Sequence, residues 1–509
     1  MRPLAHPAAG ALLALALGWA SGCAGGRPPV RPPQSSAAAA GPGPQSAQPS
    51  PFALRGVVEG FYGPPWTPAA TVDTLAFMGA QGMNTFVYAP KNDPYQRADW
   101  QEPYPARQLA DLQTLVQAAT RSHITFVYSI SPGLSIVYSS AADRSALEAK
   151  LAQLRGIGVH SFMLSFDDVT DHLVAPADVA AYGGSLSAAQ VDLANALQAD
   201  ERSLDPAFSL MLTPTEYSGT RSDAYLRGLA ALSGDVDVVW TGPGVLSPQL
   251  GLADAQAFGA IVGRRPVIWY NYPVNDWTVP SAQLNSGLQV QAKDLFMGPV
   301  QGLDPGLAQG VRGILANPML QPYASQLPLA SLAAYLNAPG DAGAPASAWQ
   351  AALTRLGGPA AQALATFCAA ESPYPALTAG GAYVWTSTDP GVDSLEATLL
   401  ATFAQHPAAA SPAAAQLRAT FQSWIDAAPA LAPGHLADAG LAADIQPWVH
   451  WMPTDGQAGL DALALLQAGA SGSAARAKVT ADLLLLAGQP VEFGGDLTSF
   501  LQGASAAAG

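Results

Sequence analysis

Between Phe52 and about residue 320, short apolar, β-branched or aromatic runs recur along the chain, and stretches with helical spacing fill the gaps. The runs are "RGVVEG" from 55, "MNTFVYAP" from 83, "ITFVYSIS" from 124 and "SFMLSFDD" from 161. "FSLMLTPT" from 208, "VDVVWTG" from 236, "RPVIWYNY" from 265 and "GVRGILANP" from 310 complete the set. Each is continuous, the texture of a strand covered on both faces. Thr67 stands as an N-cap before Pro68, Val72, Leu75 and Ala76 follow on one face, and Gly82 closes the segment. Leu109, Leu112, Val116 and Ala119 make a second helical stripe; Leu147, Leu151 and Leu154 make a third, ended by Gly156. Eight strands separated by helices predict a parallel (β/α)8 barrel over 52–322, close to the ~250 residues typical of that fold. An open, doubly wound sheet is the alternative reading of the same pattern.

From about residue 325 the strand runs stop. "AWQAALTRLGG", "PAAAQLRATFQSWIDAAPAL" and "LDALALLQAGA" carry amphipathic helical spacing broken by Pro and Gly, so 323–509 is expected to be a helical domain with a loose final turn at "ASAAAG". Before the barrel, residues 24–51 hold no aromatic and no acidic residue, and their Pro, Ser, Gly and Ala content predicts a disordered, stiffened tether. Residues 1–23 have Arg2, an apolar run from Ala8 to Ala20, and "ASGC" ending at Cys23. That is the pattern of an export signal, and "ASGC" is close to a lipobox, in which Cys23 would carry lipid. An ordinary signal peptide cleaved nearby is the alternative. The expected location is therefore outside the cytoplasm, with the folded part held at a membrane through a lipid anchor, in the periplasm or at the cell surface.

Composition narrows the function classes. The formal net charge is −15, which argues against a nucleic-acid partner, since a phosphate backbone demands a basic face. The two cysteines are Cys23 and Cys368; with Cys23 lipidated, no disulfide forms within one chain and packing must supply stability. Oligomeric state is not legible.

Barrel enzymes place their chemistry at the C-terminal ends of the strands. Here the strand ends read Glu59 and Gly60; Lys91 and Asp93; Asp167 and Asp168; Tyr217; Trp240 and Thr241; Trp269, Asn271 and Asp276; and Asn317. Aromatic faces suit a sugar ring, and amides and carboxylates match hydroxyls that both donate and accept. Glu59 and Asp93 need no such explanation, because polarity resumes wherever a strand ends.

Asp167 and Asp168 pose a sharper question, because neighbours on a strand point to opposite faces. Two catalytic carboxyls in an ordinary glycosidase stand about 5 to 9.5 Å apart on either side of the glycosidic bond. Adjacent acids suit substrate-assisted hydrolysis, in which a 2-acetamido oxygen attacks the anomeric carbon. One carboxylate then holds the acetamide N–H and the other protonates the leaving oxygen. A metal site is the competing use of a paired acid. The seven histidines form no H-x-x-x-H or H-E-x-x-H pattern, and His172, the one near the pair, reads as structural. No G-x-S-x-G element supports a serine hydrolase. No metal or organic cofactor is expected.

"GVVEGFYGPPWT", "YAPKND", "SISPGL", "FDDV", "PTEYSGT", "WTGP", "PVIWYNYPVND" and "LFMGP…ANP" occur in that order. Over residues 52–320 the chain resembles glycoside hydrolase family 84, the O-GlcNAcases and bacterial β-N-acetylglucosaminidases. The resemblance implies that Asp167 orients and polarises the acetamide, that Asp168 is general acid and then base, and that Tyr217 lies against the reacting group. It implies that Trp269 and Asn271 line the acetamide pocket, and that Asp276, Asn317, Gly60 and Lys91 bind other sugar hydroxyls. Tyr270 stands where members vary, and the resemblance implies that it tunes the pocket. The expected activity is retaining exo-cleavage of terminal β-linked GlcNAc from glycans or glycoproteins, with hyaluronidase-like endo-cleavage as the alternative and a catalytically silent glycan-binding lipoprotein as the third reading.

Overall fold

The computed structural model describes residues 50–280, 283, 291–377, 383–385, 390–405 and 412–509. The signal segment, Cys23 and tether residues 24–49 lie outside the described residues.

Eight strands close into a parallel barrel in sequence order. They are β1 (Leu54–Glu59), β2 (Thr85–Tyr88), β3 (Thr125–Ile130), β4 (Ser161–Ser165), β5 (Ser209–Thr213), β6 (Val236–Trp240), β7 (Val267–Tyr270) and β8 (Gly313–Ala316). Each falls within one of the eight apolar runs or reaches one residue beyond it. β1 pairs with both β2 and β8, with Val57 opposite Phe86 on one side and Ala316 on the other. This closure excludes the open sheet.

The strands look continuous in sequence because both faces are buried against different things. Val58, Val87, Val127, Met163, Met211, Val239, Val267, Trp269 and Leu315 form a cluster of their own, drawn from every strand: this is the barrel interior. Their neighbours, such as Val57, Phe86, Phe162 and Ile268, belong to the outer core beneath the helices. Alternation of side chains across each strand produces the two sets.

The three predicted helices form at Pro68–Ala80, Ala106–Arg121 and Ala141–Arg155. Thr67 accepts a hydrogen bond from the Ala70 N–H, as an N-cap should. Ala76, however, is exposed, and the buried face is Thr71, Thr74, Leu75 and Met78. Val72 therefore sits at the edge of the stripe, and two threonines extend it.

After β8 the chain is mainly helical, from Gln326–Asn337 to Leu497–Ala507, and from Ser50 on the described residues make one compact unit. Two expectations need correction. Pro375–Leu377 pairs antiparallel with Tyr383–Trp385, a ladder too short to leave a periodic signal. The C-terminal residues are not loose: Leu497–Ala507 is a helix that buries Leu501 and Ala504. Among the described residues no helix is long and apolar enough to cross a membrane. Cys368 is a buried free thiol.

The helical part braces the segment between β7 and β8, which carries site residues. Trp448, fully buried on the helix Ala439–Ala468, donates its indole N–H to the Lys293 carbonyl at 2.8 Å. Trp349 donates to the Met297 carbonyl at 2.7 Å, and the Met297 N–H donates to the Glu371 carbonyl at 2.7 Å.

Candidate active site

The inward parity of the strands runs past their ends into a cavity of about 300 Å³ at the barrel mouth. Val58 leads to Gly60 and Tyr62, Val87 through Ala89 to Lys91, Met163 through Ser165 to Asp167, Val239 to Thr241, Trp269 to Asn271, and Leu315 to Asn317. Gly60, Lys91, Asp167, Asp168, Tyr217, Trp269, Asn271, Asp276 and Asn317 all line this one cavity.

Asp167 is the continuation of β4's inward face, and it is buried. Its Oδ2 accepts from Lys91 Nζ, and the two side chains are 9% and 2% exposed. Lys91 Nζ also lies 5.5 Å from the Trp269 ring centroid. Asp167 Oδ1 is buried with no hydrogen-bond partner among the described residues. A buried carboxylate oxygen in that state is costly unless a ligand donor meets it.

Asp168 reaches the same cavity by a different device. By strand parity it should point away, but its φ is 56°, in the left-handed region that few non-glycine residues occupy. The backbone turn brings its carboxylate back over the mouth, where it is exposed. Tyr217 donates to Oδ1 at 2.8 Å and Tyr62 donates to Oδ2 at 2.9 Å. Burial first, then the neighbouring Asp168 carboxylate, pushes both phenols well above their ordinary pKa. Each phenol therefore keeps its proton.

An amide network forms the opposite wall. Trp269 Nε1 donates to Asn271 Oδ1 at 2.9 Å, and Asn317 Nδ2 donates to the same oxygen at 3.0 Å. Asn317 Oδ1 accepts from the Gly60 N–H at 3.2 Å. Gly60 is forced by packing: a Cβ there would stand 2.2 Å from Cζ2 of Trp269. Asp276 Oδ2 accepts from the Tyr62 N–H at 2.7 Å, and burial raises its pKa to about 6.

Other strand-end residues go elsewhere. Asp93 accepts from Tyr88 and Tyr104 in a buried tyrosine cluster, and Glu59 accepts from the Trp66 N–H. Trp240 has outward parity; it stacks on Phe258 at 4.9 Å, away from the cavity. Tyr270 likewise faces outward, with its hydroxyl against that of Tyr374, so it does not touch the pocket. His172 is on the surface beside Asp171. Sequence reasoning missed Tyr62, Thr213 and Trp277 in the lining and Arg97 behind it. Parity counted from the inward Val58 and Met211 would have found Tyr62 and Thr213; Trp277 and Arg97 lie on turns, where parity fails. Among the described residues no group of three or more His, Cys, Asp or Glu is placed to hold a metal.

A closed parallel barrel whose mouth gathers adjacent carboxylates, phenols, an indole and an amide network has the architecture and the polar lining of a carbohydrate site on a (β/α)8 scaffold. Comparison with known proteins agrees. The family model described as beta-N-acetylglucosaminidase (NAGidase) matches residues 55–369. The chain is 35% identical to Protein O-GlcNAcase of Rattus norvegicus over 311 residues, 60% of this chain and 32% of that protein. It is also 35% identical to that of Mus musculus over 290 residues, 55% of this chain and 30% of that protein. The chain thus matches about a third of the length of these relatives. An O-GlcNAc hydrolase mutant from Thermobaculum terrenum superposes with a TM-score of 0.78 at 29% identity, covering 89% of this chain and 94% of that one. CpGH84B shares the fold, with a TM-score of 0.75 at 24% identity over 89% of this chain and 77% of that one. The chain belongs to the β-N-acetylglucosaminidase family, glycoside hydrolase family 84.

Proposed function

We propose that the protein is a retaining exo-β-N-acetylglucosaminidase that removes terminal β-linked GlcNAc, with the sugar's own acetamide as nucleophile. The observation that carries this reading is Asp167 Oδ1, a buried acceptor with no partner among the described residues, lying in the cavity one residue from Asp168. The acetamide N–H of a bound GlcNAc supplies the missing donor, while Lys91 holds the other oxygen. With its N–H engaged, the acetamide oxygen attacks C1 and the glycosidic bond breaks. Asp168 gives its proton to the departing oxygen, and Asp167 Oδ1 takes the acetamide nitrogen's proton, leaving a neutral oxazoline; that proton returns to nitrogen when the ring reopens. Asp168 then takes a proton from water as that water attacks C1 and reopens the ring. Two inversions at C1 give net retention.

In this scheme Tyr217, Trp269 and Asn271 enclose the acetamide, and Gly60, Lys91, Asp276 and Asn317 meet ring hydroxyls. A cavity near 300 Å³ is at the small end of ligand sites, which favours one terminal sugar over an internal segment of a polysaccharide. The test is proton NMR of an aryl β-GlcNAc during hydrolysis. β-GlcNAc should form first; α-GlcNAc first would overturn the mechanism, and no turnover would favour a silent glycan-binding protein.

The same reading places the enzyme outside the cytoplasm, acting on GlcNAc-bearing glycans or glycoproteins from a lipid anchor on Cys23. Its support is the residue pattern of 1–23. Labelling with a radioactive fatty acid should mark the wild type and not Cys23→Ser; an unlabelled wild type would remove the anchor.

A further inference from the structure

Resting on the reading of Asp168 as the acid, we propose that Arg97 is its positioning residue: by fixing the Tyr62 hydroxyl as a donor to Oδ2, it leaves Oδ1 to carry the proton that goes to the leaving oxygen.

Arg97 lies on the turn after β2 and is buried. Among the described residues it has no carboxylate side chain at ion-pair distance, which is unusual for a buried guanidinium. Its donors go instead to two parts of the acid's support. Nη1 donates to the Tyr62 hydroxyl oxygen at 2.9 Å, and Nη2 donates to the Asp168 carbonyl at 3.3 Å. The guanidinium also lies 5.4 Å from the Tyr62 ring centroid, within cation–π range.

Each contact has a consequence. The carbonyl bond holds the peptide plane that follows Asp168, and so helps to keep this residue left-handed, a conformation that persists only when its surroundings impose it. The bond to Tyr62 orients its hydroxyl. Its oxygen accepts from Arg97, and its single proton points to Asp168 Oδ2. Tyr217, the donor to Oδ1, has no second hydroxyl partner among the described residues. Its hydroxyl is free to reverse and accept. The two oxygens of Asp168 are therefore inequivalent: Oδ2 stays an acceptor, and the transferable proton sits on Oδ1. The charged and titratable groups facing this carboxyl are Asp167 with its partner Lys91, Asp276, Tyr62, Tyr217 and Arg97.

The experiment compares Arg97→Met, Arg97→Lys and Tyr62→Phe on two substrates. Phenyl β-GlcNAc needs a proton on its leaving group, whereas 2,4-dinitrophenyl β-GlcNAc does not. Arg97→Met should lower kcat/KM roughly thirtyfold on the phenyl substrate and less than about threefold on the dinitrophenyl one, since general acid catalysis acts on the first alone. Arg97→Lys should recover part of the loss. Tyr62→Phe should give the same split, and the double variant should be no worse than either single, because both act along one path. Inhibition by GlcNAc-thiazoline, a stable mimic of the cyclic intermediate, should be nearly unchanged and certifies a folded pocket. Equal losses on both substrates, or none on the phenyl substrate, would overturn the proposal. Asp168→Ala on the same two substrates tests the underlying reading separately: it should lose far more on the phenyl substrate than on the dinitrophenyl one. Should that fail, crystal structures still decide: in Arg97→Met, Tyr62 should leave Asp168 Oδ2 or residue 168 should relax from its left-handed turn, and an unchanged Asp168 would refute the role.

Discussion

Asp167 and Asp168 share a peptide bond and occupy opposite surroundings. Asp167 is buried against Lys91 with one oxygen unmatched, while Asp168 stands exposed between two phenols. A single left-handed residue produces the difference, since it brings the second acid to the same cavity by a route that strand parity forbids. That separation gives two carboxylates two tasks without spacing them across a sugar ring.

The Lys91–Asp167 pair sets the first prediction. Lys91→Met leaves a buried charge uncompensated and should cost about 3–5 kcal/mol of stability. Adding Asp167→Asn should restore most of that stability in denaturant melts. It should not restore hydrolysis, which Asp167→Asn alone should lower by at least ~10²-fold on an aryl β-GlcNAc, the low end of what a catalytic side chain contributes. Recovery of activity in the double variant would mean that Asp167 serves only to hold Lys91.

Gly60 should be intolerant of even a methyl group. Gly60→Ala puts a Cβ 2.2 Å from Trp269, whose indole is tied to Asn271. The ring must shift, and a misplacement of about 1 Å in a positioning group can cost ~10²-fold. The expected result is a large fall in kcat/KM together with a loss of about 1–3 kcal/mol of stability, as overpacking of a buried contact brings. Full activity would show that the indole position does not matter.

Buried carboxyls predict the pH dependence of stability. Burial raises Glu59 to about 8, Asp276 to about 6, and Asp294, Asp444 and Asp455 each to about 7. Between the ordinary carboxyl range near 4 and these values, the folded chain keeps protons that the unfolded chain releases. Stability is then fully present below the unfolded pKa and is lost as pH rises through about 6 to 8. Asp171, Asp205, Asp223 and Asp235 shift downward, so their effect falls at lower pH. The melting temperature should be higher at pH 5 than at pH 8, and Asp294→Asn with Asp455→Asn should flatten that slope. A higher melting temperature at pH 8 would contradict the assignment.

The helical part should be inseparable from the barrel. A chain ending at residue 322 loses the partners of the Lys293 and Met297 carbonyls and exposes the barrel surface under Trp448. It should fail to give a cooperative melt. Trp448→Ala in the full chain should cost about 3–5 kcal/mol, as large core truncations do. Its effect on KM at low temperature should be slight. A stable, active 50–322 fragment would contradict this.

Much of this molecule was legible because its strands are fully buried. Runs such as "TFVY" and "VIWY" read as strands covered on both faces, and inward parity carried past them sends Lys91 and Asn271 to the mouth. What escaped has identifiable causes. Trp240 is singled out by residue type and Tyr270 by the family resemblance, yet parity sends both to the outer face. Arg97 matters through a phenol and a backbone carbonyl, and no spacing encodes such contacts. Asp168 was found from its neighbour; the left-handed turn that makes it usable carries no glycine to announce it. Ala76 looked like core because alanine suits either face of a helix.

The most direct test of the central claim is the rate of hydrolysis of an aryl β-GlcNAc whose N-acetyl group carries zero, one, two or three fluorines. If the acetamide oxygen is the nucleophile, kcat/KM should fall steeply and log-linearly with each fluorine as electron density is withdrawn from that oxygen. A rate that stays level across the series would contradict it.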